Sequence, residues 1–493
     1  MSSSTNMPGL RQMAGWVLGP MCLIATLVLP PPDGLGIDGW RAAGAAMWMA
    51  VFWITEPIPI PATALLPLVL FPLLGLADGG EAAAPYASPI IYLFLGGFFI
   101  AAAMQRWHLH RRLALKLISA IGTRPTRLVA GFLLGSALLS MWVSNTATAM
   151  MMLPIALSVT QLANGSGHRE NDRFATVLLL AVAYGATAGG MATLIGTPPN
   201  ALLAGYMEKV HGITIGFGQW MLLGVPLTLL TLPVVHFVLT RVSSRLENTA
   251  IEGMDELLES ERAKLGPVSR GEAVTAVVFS LTALAWITQP LLARMLPGVS
   301  DTLIAVAGAL CLFIIPVSFS RGEFALDWAS AKSVPWDVLL LFGGGLSLAG
   351  VIDRHGLARY LGELCGALGG MPVIVILACV CFGILMLTEL TSNTATAATF
   401  LPVMGALAMS LGQNPLLFLV PAALAANCSF MMPVGTPPNA IVFGSGRITL
   451  PQMARAGLWL NLALVPLIVG MVLWLGKWIF GIETGVMPEW AAP

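Results

Sequence analysis

Residues 144–148 read SNTAT, and residues 392–396 read SNTAT again. Each copy lies in the middle of a long apolar run and carries no charged residue. A polar group buried without a partner is costly, so short polar sequences are rare in apolar surroundings. The exact repeat therefore predicts that the two runs adopt the same structure.

The composition of the chain indicates a membrane protein. Of its 493 residues, 57% are hydrophobic and 10% are charged, whereas about 25% of the residues of a soluble domain are charged. Too few polar residues are present to cover a core in water, so we expect a lipid bilayer around the apolar runs. The formal net charge is zero, and nucleic acid is not an expected partner.

Eleven apolar runs are long enough to be interpreted as full spans. They cover residues 13–31, 40–56, 60–76, 89–105, 174–205, 216–240, 272–290, 302–319, 335–351, 414–446 and 456–480. The two SNTAT runs, 127–163 and 371–411, divide into legs of about 15–20 residues, which suit re-entrant hairpins that enter and leave on one side. The predicted fold class is an all-α polytopic membrane protein with about 11 transmembrane helices and two re-entrant hairpins.

The distribution of basic residues sets an orientation. With the N-terminus in the cytoplasm, most of the 24 Lys and Arg residues lie on the cytoplasmic side, as expected for a protein of the inner (plasma) membrane. The C-terminus is then external. The hairpin at 127–163 opens to the cytoplasm, and the hairpin at 371–411 opens to the exterior. Amphipathic stretches at 105–126 and 352–370 precede them and are predicted to be interfacial helices.

An internal duplication relates the two halves of the chain. A shift of 248 residues (392 minus 144) places Arg354 on Arg106 and brings the SNTAT copies into register. The sequence GTPPN at 196–200 recurs at 435–439. An odd number of crossings separates the two copies if the hairpins do not cross, so the repeats face opposite ways. Inverted repeats with polar interruptions at equivalent positions are typical of secondary transporters.

The GTPPN motif is expected to break a helix. Gly196 and Gly435 permit unusual backbone angles, and the following proline pairs remove amide donors and free upstream carbonyls. Such carbonyls, with Asn, Ser and Thr side chains, suit a small cation such as Na⁺, whereas helix N-termini suit an anion. Two inverted copies therefore predict two cation sites beside one anion site.

No Lys or Arg lies near either motif in the sequence. A permanent Arg would bind a dianion tightly and leave a charge in the apolar interior during the return. Co-transported cations supply the charge without these costs. Two acids of the membrane region are notable. Glu56 is expected at the membrane boundary, whereas Glu389 replaces Met141 of the first repeat and is either a structural partner or a group that tunes the second cation site.

The paired SNT motifs, GTPPN in both broken helices and WITEPIPIPATALLP at 53–67 resemble the divalent anion–sodium symporter family (DASS, the INDY-type transporters) over residues 13–480. The resemblance implies a homodimer with a static scaffold and a transport domain that moves as an elevator. The first sodium site looks like Ser140, Ser144, Asn145 and Gly196, and the second like Thr388, Ser392, Asn393 and Gly435. The implied substrate residues are Ser144, Asn145, Thr146, Thr197, Ser392, Asn393, Thr394, Thr436 and Pro437.

The predicted organisation follows from the repeats and this resemblance. It comprises N-terminal scaffold spans at 1–88, a first repeat at 89–240 with hairpin 127–163 and broken helix 174–205, a solvated cytoplasmic loop at 241–271, scaffold spans at 272–334, a second repeat at 335–480 with hairpin 371–411 and broken helix 414–446, and an external tail at 481–493.

The function expected from these features is Na⁺-coupled import of C4-dicarboxylates such as succinate, malate and fumarate, with no organic cofactor. Transport of citrate, tartrate or sulfate, or sodium-independent dicarboxylate exchange, remain alternatives on the same fold. An enzyme is not expected, because the spans contain no nucleophile–base pair and no set of metal ligands. A channel would need a continuous polar lining, which hairpins from opposite faces do not provide.

Overall fold

Helices make up almost all of the regular structure in the computed structural model, which describes residues 9–164, 169–246, 251–364 and 370–491. The helices of the first half are α1 (Leu10–Val28), α2 (Ile37–Thr55), α3 (Ile60–Thr63), α4 (Leu66–Leu74), α5 (Gly79–Ala83), α6 (Pro89–Arg106), α7 (Leu109–Ile121), α8 (Pro125–Ser140), α9 (Asn145–Asn164), α10 (Arg169–Gly190), α11 (Pro198–His211) and α12 (Phe217–Phe237).

The second half continues with α13 (Met254–Ala263), α14 (Arg270–Ile287), α15 (Gln289–Met295), α16 (Asp301–Ile314), α17 (Trp328–Ala331), α18 (Trp336–Arg354), α19 (Leu357–Leu364), α20 (Val373–Thr388), α21 (Asn393–Ser410), α22 (Leu416–Asn427), α23 (Pro437–Phe443) and α24 (Leu450–Phe480). Two short strands, β1 (Pro316–Ser318) and β2 (Glu323–Phe324), pair antiparallel between α16 and α17.

Within these described ranges, 8 helical segments are long and apolar enough to cross a bilayer, and five apolar helices are shorter. Three of the shorter ones are the hairpin legs α8 and α20 and the half-helix α22. Together with the comparisons reported below, this architecture confirms the predicted all-α polytopic membrane fold.

The order of elements repeats along the chain. In each half a long helix is followed by a short amphipathic helix, two hairpin legs, two halves of a broken helix and another long helix, so that α6–α12 corresponds to α18–α24. The hairpin turns contain residues 141–144 and 389–392, and the breaks contain residues 191–197 and 428–436. The two polar motifs thus lie at the hairpin turns and helix breaks, where the sequence predicted them.

The predicted span at 60–76 is interrupted in the structure. It consists of the four-residue α3 and the nine-residue α4, and nine residues rise only about 14 Å. The Tyr86 hydroxyl donates to the Ala64 carbonyl between them. A Cβ on Gly344 of α18 would overlap that carbonyl, so α18 packs directly on the backbone of the interruption.

Other boundaries also differ from the prediction. In the apolar run at 302–319, helix α16 ends at Ile314, and the residues Pro316–Ser318 form strand β1. The interfacial stretches are helical as α7 and α19, although residues 365–369 of the second lie outside the described residues. Glu56 lies exposed at the end of α2, and its position at the membrane boundary stays a prediction.

The loop at 241–271 is more than a solvated connector. It contains the amphipathic helix α13, whose Met254 and Leu258 are buried. Glu261 of α13 accepts a hydrogen bond from Arg111 Nη2 at 2.6 Å and pairs with Lys264. These two cations lower the pKa of Glu261. The connector is therefore fastened to α7, the amphipathic helix that leads into the first hairpin.

Candidate functional site

The two hairpin turns and two helix breaks meet in the interior of the protein. Helix α9 of the first hairpin packs against α23 of the second repeat, and α11 of the first repeat packs against α21 and α22. The two repeats therefore pack directly on each other beside their hairpin turns and helix breaks, as expected where inverted repeats meet.

Oxygen atoms converge on one end of the Asn145 side-chain amide. Ser140 Oγ lies 2.5 Å from this end, and the carbonyl oxygens of Gly196 and Ala186 lie 3.3 and 3.2 Å from it. Gly190 leaves room for the amide, because a Cβ there would lie 2.7 Å from Asn145 Oδ1. The first turn and the first break thus form one oxygen-rich cluster, here called the Asn145 cluster.

The second repeat builds the same arrangement around Asn393. Thr388 Oγ1 lies 2.7 Å from one end of the Asn393 amide, and the carbonyl oxygens of Ala426 and Gly435 both lie 3.2 Å from that end. Thr388 Oγ1 also donates to the Ala426 carbonyl at 2.8 Å. We call this arrangement the Asn393 cluster.

The last residue of each GTPPN motif fixes its helix break. Asn200 Nδ2 donates to the carbonyls of Gly190 and Thr193 at 3.2 and 2.8 Å. Asn439 Nδ2 donates to the carbonyls of Ser429 and Met432 at 3.1 and 3.0 Å. Both side chains are fully buried. These two residues were part of the motif but not of the predicted site, and the structure gives them a positioning role.

The second break is held by an acid that has no equivalent in the first. Glu389 is 3% exposed, and its carboxylate accepts from the backbone amides of Phe430, Met431 and Met432 at 2.8–3.0 Å. The Asn461 amide and the Ser429 hydroxyl also donate to it, at 2.7 and 3.1 Å. These contacts make Glu389 a structural partner of the second break, and its effect on the second cation site stays a prediction.

The first break instead relies on a threonine. Thr193 Oγ1 donates to the Met141 carbonyl at 2.5 Å and accepts from the Gly196 amide at 3.1 Å. The two halves therefore build clusters of the same shape with different supports.

One residue that the sequence did not single out links the repeats. Asn427 is fully buried at the end of α22, and its Oδ1 accepts from Thr197 Oγ1 at 2.7 Å. Its Nδ2 donates to the Thr187 carbonyl of α10 at 2.9 Å. The repeat alignment gave no signal here, because the equivalent residue of the first half is Ala188.

The remaining predicted residues lie close to cluster residues in the sequence, and they differ from one another in their contacts and burial. Ser144 Oγ accepts from the Ala147 amide at 3.3 Å, which caps α9. Ser392 precedes α21 at the same position, without a side-chain cap bond. Thr394 is buried and Thr146 half-buried. Thr436 is buried, whereas Pro437, the first residue of α23, is exposed.

This arrangement can bind ions without charged ligands. Among the described residues, no group of three or more His, Cys, Asp or Glu side chains is placed to hold a metal ion. The clusters offer neutral hydroxyl, amide and carbonyl oxygens, which are ligands for a hard cation. Helices α9 and α21 begin at Asn145 and Asn393, and helix N-termini favour an anion. Each oxygen cluster therefore adjoins a helix N-terminus at the same asparagine.

Comparison with protein families gives a match to the sodium:sulfate symporter transmembrane region over residues 11–482. The chain is 41% identical over 481 residues to the sodium-dependent dicarboxylate transporter SdcS of Staphylococcus saprophyticus, covering 96% of this chain and 93% of that protein. The SdcS protein of Staphylococcus aureus strain USA300 is 40% identical and is 92% covered.

Two solved transporter structures share the fold. YdaH of Alcanivorax borkumensis superposes with a TM-score of 0.59 at 18% identity, covering 96% of this chain and 99% of that chain. MtrF of Neisseria gonorrhoeae superposes with a TM-score of 0.57 at 12% identity, covering 97% and 96%. At these identities the likeness concerns the fold alone.

Proposed function

The chain belongs to the sodium:sulfate symporter family and is a transporter and not an enzyme; on that premise we propose that it imports C4-dicarboxylates such as succinate, malate and fumarate together with Na⁺. The observation that carries the proposal is the pair of matched oxygen clusters at Asn145 and Asn393. The similarity to the sodium-dependent dicarboxylate transporters SdcS, at 40–41% identity over nearly the whole chain, supports both the cation and the substrate class.

In this proposal one Na⁺ is bound by Ser140, Ser144, Asn145 and Gly196, and the other by Thr388, Ser392, Asn393 and Gly435. The first turns of α9 and α21, with Asn145, Thr146, Asn393 and Thr394, receive the substrate carboxylates, and Thr197, Thr436 and Pro437 line the approach. Each Na⁺ then lies next to one carboxylate, and the two cations offset the dianion. The bound group is close to neutral and crosses the bilayer interior at lower cost.

We further propose an elevator-type mechanism. The hairpins and broken helices of both repeats pack on one another, which supports their movement as one body. Separate gating of a hairpin would pull its amide away from carbonyls of the adjacent break and leave them unpaired in a dry interior. The spans before residue 88 and those at 272–334 would form the static scaffold of a homodimer in the inner membrane, with the N-terminus cytoplasmic and the C-terminus external.

The test is uptake of labelled succinate by proteoliposomes that contain the purified protein. We expect accumulation with an inward Na⁺ gradient and none when choline replaces Na⁺. Unlabelled malate and fumarate should compete, whereas citrate, tartrate and sulfate should compete poorly. Equal uptake in choline would replace symport by sodium-independent exchange, and strong competition by sulfate or citrate would change the substrate class.

A further inference from the structure

The amides of Asn145 and Asn393 each have one end that faces only oxygen atoms. For Asn145 these are a hydroxyl at 2.5 Å and two carbonyl oxygens at 3.2–3.3 Å. For Asn393 they are a hydroxyl at 2.7 Å and two carbonyl oxygens at 3.2 Å. Carbonyl oxygens accept hydrogen bonds but never donate them.

The two ends of an asparagine amide have opposite chemistry. The nitrogen donates two hydrogen bonds, and the oxygen accepts bonds or binds a cation. If the oxygen faces the carbonyls, a cation must lie among them to offset their repulsion. If no cation is bound, only the nitrogen satisfies them, because a buried acceptor without a donor is costly. Each cluster therefore requires a different end of the same amide in its two ionic states.

The Asn393 cluster offers the amide nitrogen a partner in both orientations. When the nitrogen points inward, the carbonyls of Ala426 and Gly435 accept from it, and Thr388 accepts as well because its single hydroxyl proton goes to Ala426. When the nitrogen points outward, the carbonyl of Asn427 accepts from it at 3.3 Å. A half-turn about the last side-chain bond exchanges the two arrangements without backbone movement.

We propose that Asn145 and Asn393 are amide switches, in which Na⁺ binding turns the oxygen inward and Na⁺ release turns the nitrogen inward. This inference rests on the proposed function, since it concerns the two Na⁺ sites of that mechanism. In the sodium-free carrier the amide nitrogen occupies the place of the cation and pairs with the freed carbonyls. The return across the membrane then proceeds without unsatisfied backbone groups.

Replacement of the amide by a carboxylate separates these two roles. In Asn393→Asp both ends of the side chain are oxygens, which bind Na⁺ but cannot donate to a carbonyl. We expect the sodium-free protein to be destabilised and Na⁺ to restore it. The sodium-induced rise in the thermal unfolding midpoint should therefore be larger in the variant than in wild type, without any substrate present.

Transport gives a second, independent readout. Exchange, with Na⁺ and succinate on both sides, does not require the sodium-free return, whereas net uptake does. We expect the ratio of net uptake to exchange in Asn393→Asp to fall by about fivefold to a hundredfold at pH 8, the population cost of an unpaired buried acceptor. Protonation of the new carboxyl supplies an O–H donor, so the ratio should recover at pH 5.5. Taking a ratio cancels the effect of pH on the substrate itself.

Asn145→Asp tests the first cluster in the same way and decides the question if Asn393→Asp does not fold. The control is Asn414→Asp. Asn414 lies just before the first residue of α22, at the end opposite Asn427, and its amide donates to the Gly481 carbonyl. This variant should leave both the ratio and the sodium-induced shift as in wild type. An unchanged ratio at pH 8, or an unchanged sodium-free midpoint, in both cluster variants would overturn the switch. A wild-type protein whose midpoint and uptake ignore Na⁺ would instead reject the proposed function, and the switch with it.

Discussion

Trp142 and Leu390 occupy equivalent positions in the two hairpin turns, 248 residues apart (390 minus 142), and their surroundings differ. The Trp142 ring stacks on Phe217 at a centroid distance of 6.1 Å and meets Phe279 of α14 edge-on at 5.0 Å. Leu390 is 56% exposed, and its carbonyl accepts from Arg11 Nη2 at 3.2 Å. The first hairpin turn is thus covered by aromatic rings, whereas Leu390 of the second turn is exposed.

This difference predicts unequal accessibility of the two turns. In a cysteine-free background, Leu390→Cys should react with a membrane-impermeant maleimide at least tenfold faster than Trp142→Cys. The legs of this hairpin enter from the exterior in the proposed orientation, but its turn contacts Arg11 of the cytoplasmic N-terminal segment, so the reaction at residue 390 should occur from the cytoplasmic side. Labelling of inside-out and right-side-out vesicles measures both points. Faster labelling at residue 142 would contradict the closed first turn.

Removal of either cluster amide should abolish transport. Asn145→Ala and Asn393→Ala each remove a proposed Na⁺ ligand and a proposed carboxylate contact, so we expect at least a hundredfold loss of succinate uptake with a folded, monodisperse protein. The measurement is initial uptake in proteoliposomes against Na⁺ concentration. Ser158→Ala is the matched control, because Ser158 lies on the same helix as Asn145 and its hydroxyl donates to the Pro154 carbonyl. A variant with unchanged sodium dependence would show that the site is placed wrongly.

Glu389→Gln should weaken the second half of the site more than the first. The carboxylate accepts five donors, and the NH₂ group of glutamine would face some of them. Loss of hydrogen bonds to a charged acceptor costs about 1.5–3 kcal/mol each, so we expect a lower unfolding midpoint and a higher Na⁺ requirement. Glu363→Gln, at an exposed position of α19, should change neither. An unaltered Na⁺ requirement would limit Glu389 to stability.

Asn427→Ala should disconnect the two breaks while leaving each in place. Thr197 loses its acceptor and Thr187 its donor, whereas the equivalent residue of the first repeat is already alanine. We expect the Hill coefficient for Na⁺ to fall to the value for two independent sites that must both be filled, because each cluster then binds its cation without coupling to the other. The readout is succinate uptake against Na⁺ concentration. Loss of uptake at every Na⁺ concentration would indicate a direct role in binding.

Cross-linking distinguishes a moving body from local gates. Cysteines at Trp142 and Phe279 join the first hairpin to α14, and cysteines at Tyr184 and Phe430 join α10 to the second break; the ring centroids are 5.0 and 5.1 Å apart. A short bifunctional thiol reagent should stop uptake through the first pair and spare it through the second. For each pair, the inhibition that the reagent causes in the two corresponding single-cysteine proteins is subtracted from that of the double-cysteine protein. Inhibition by the second pair alone would favour local gates.

The sequence predicted the elements of the site better than their supports. Hairpin turns and helix breaks were predictable because SNTAT and GTPPN each occur twice in the sequence. The structure brings Ser140, Asn145 and Gly196 together as expected. Their role in binding stays a prediction. Asn427 was not predictable, because duplication was the guide and its counterpart is Ala188. The partners of Glu389 are backbone amides, which residue letters do not reveal.

The scaffold departed from the prediction for a similar reason. Hydropathy treats 60–76 as one span, since Thr63 is its only polar residue. The interruption at Ala64 depends on Tyr86 and on Gly344, which lies far along the chain. Likewise, charge alone marked 241–271 as solvated, although the pairing of Arg111 with Glu261 binds part of it to α7. Contacts between distant segments decided each case.

The bond between Thr197 and Asn427 spans 230 residues of sequence, and this separation constrains biosynthesis. Chains enter the membrane from the N-terminus as they are made. When α10 and α11 leave the ribosome, Asn427, the acceptor for Thr197, has not been translated. The polar break between α10 and α11 therefore lacks this partner while it lies in the bilayer or in the insertion machinery. The contact between the two helix breaks is therefore formed only when α22 has been made, so we expect quality-control proteases to degrade truncated chains that end before residue 427.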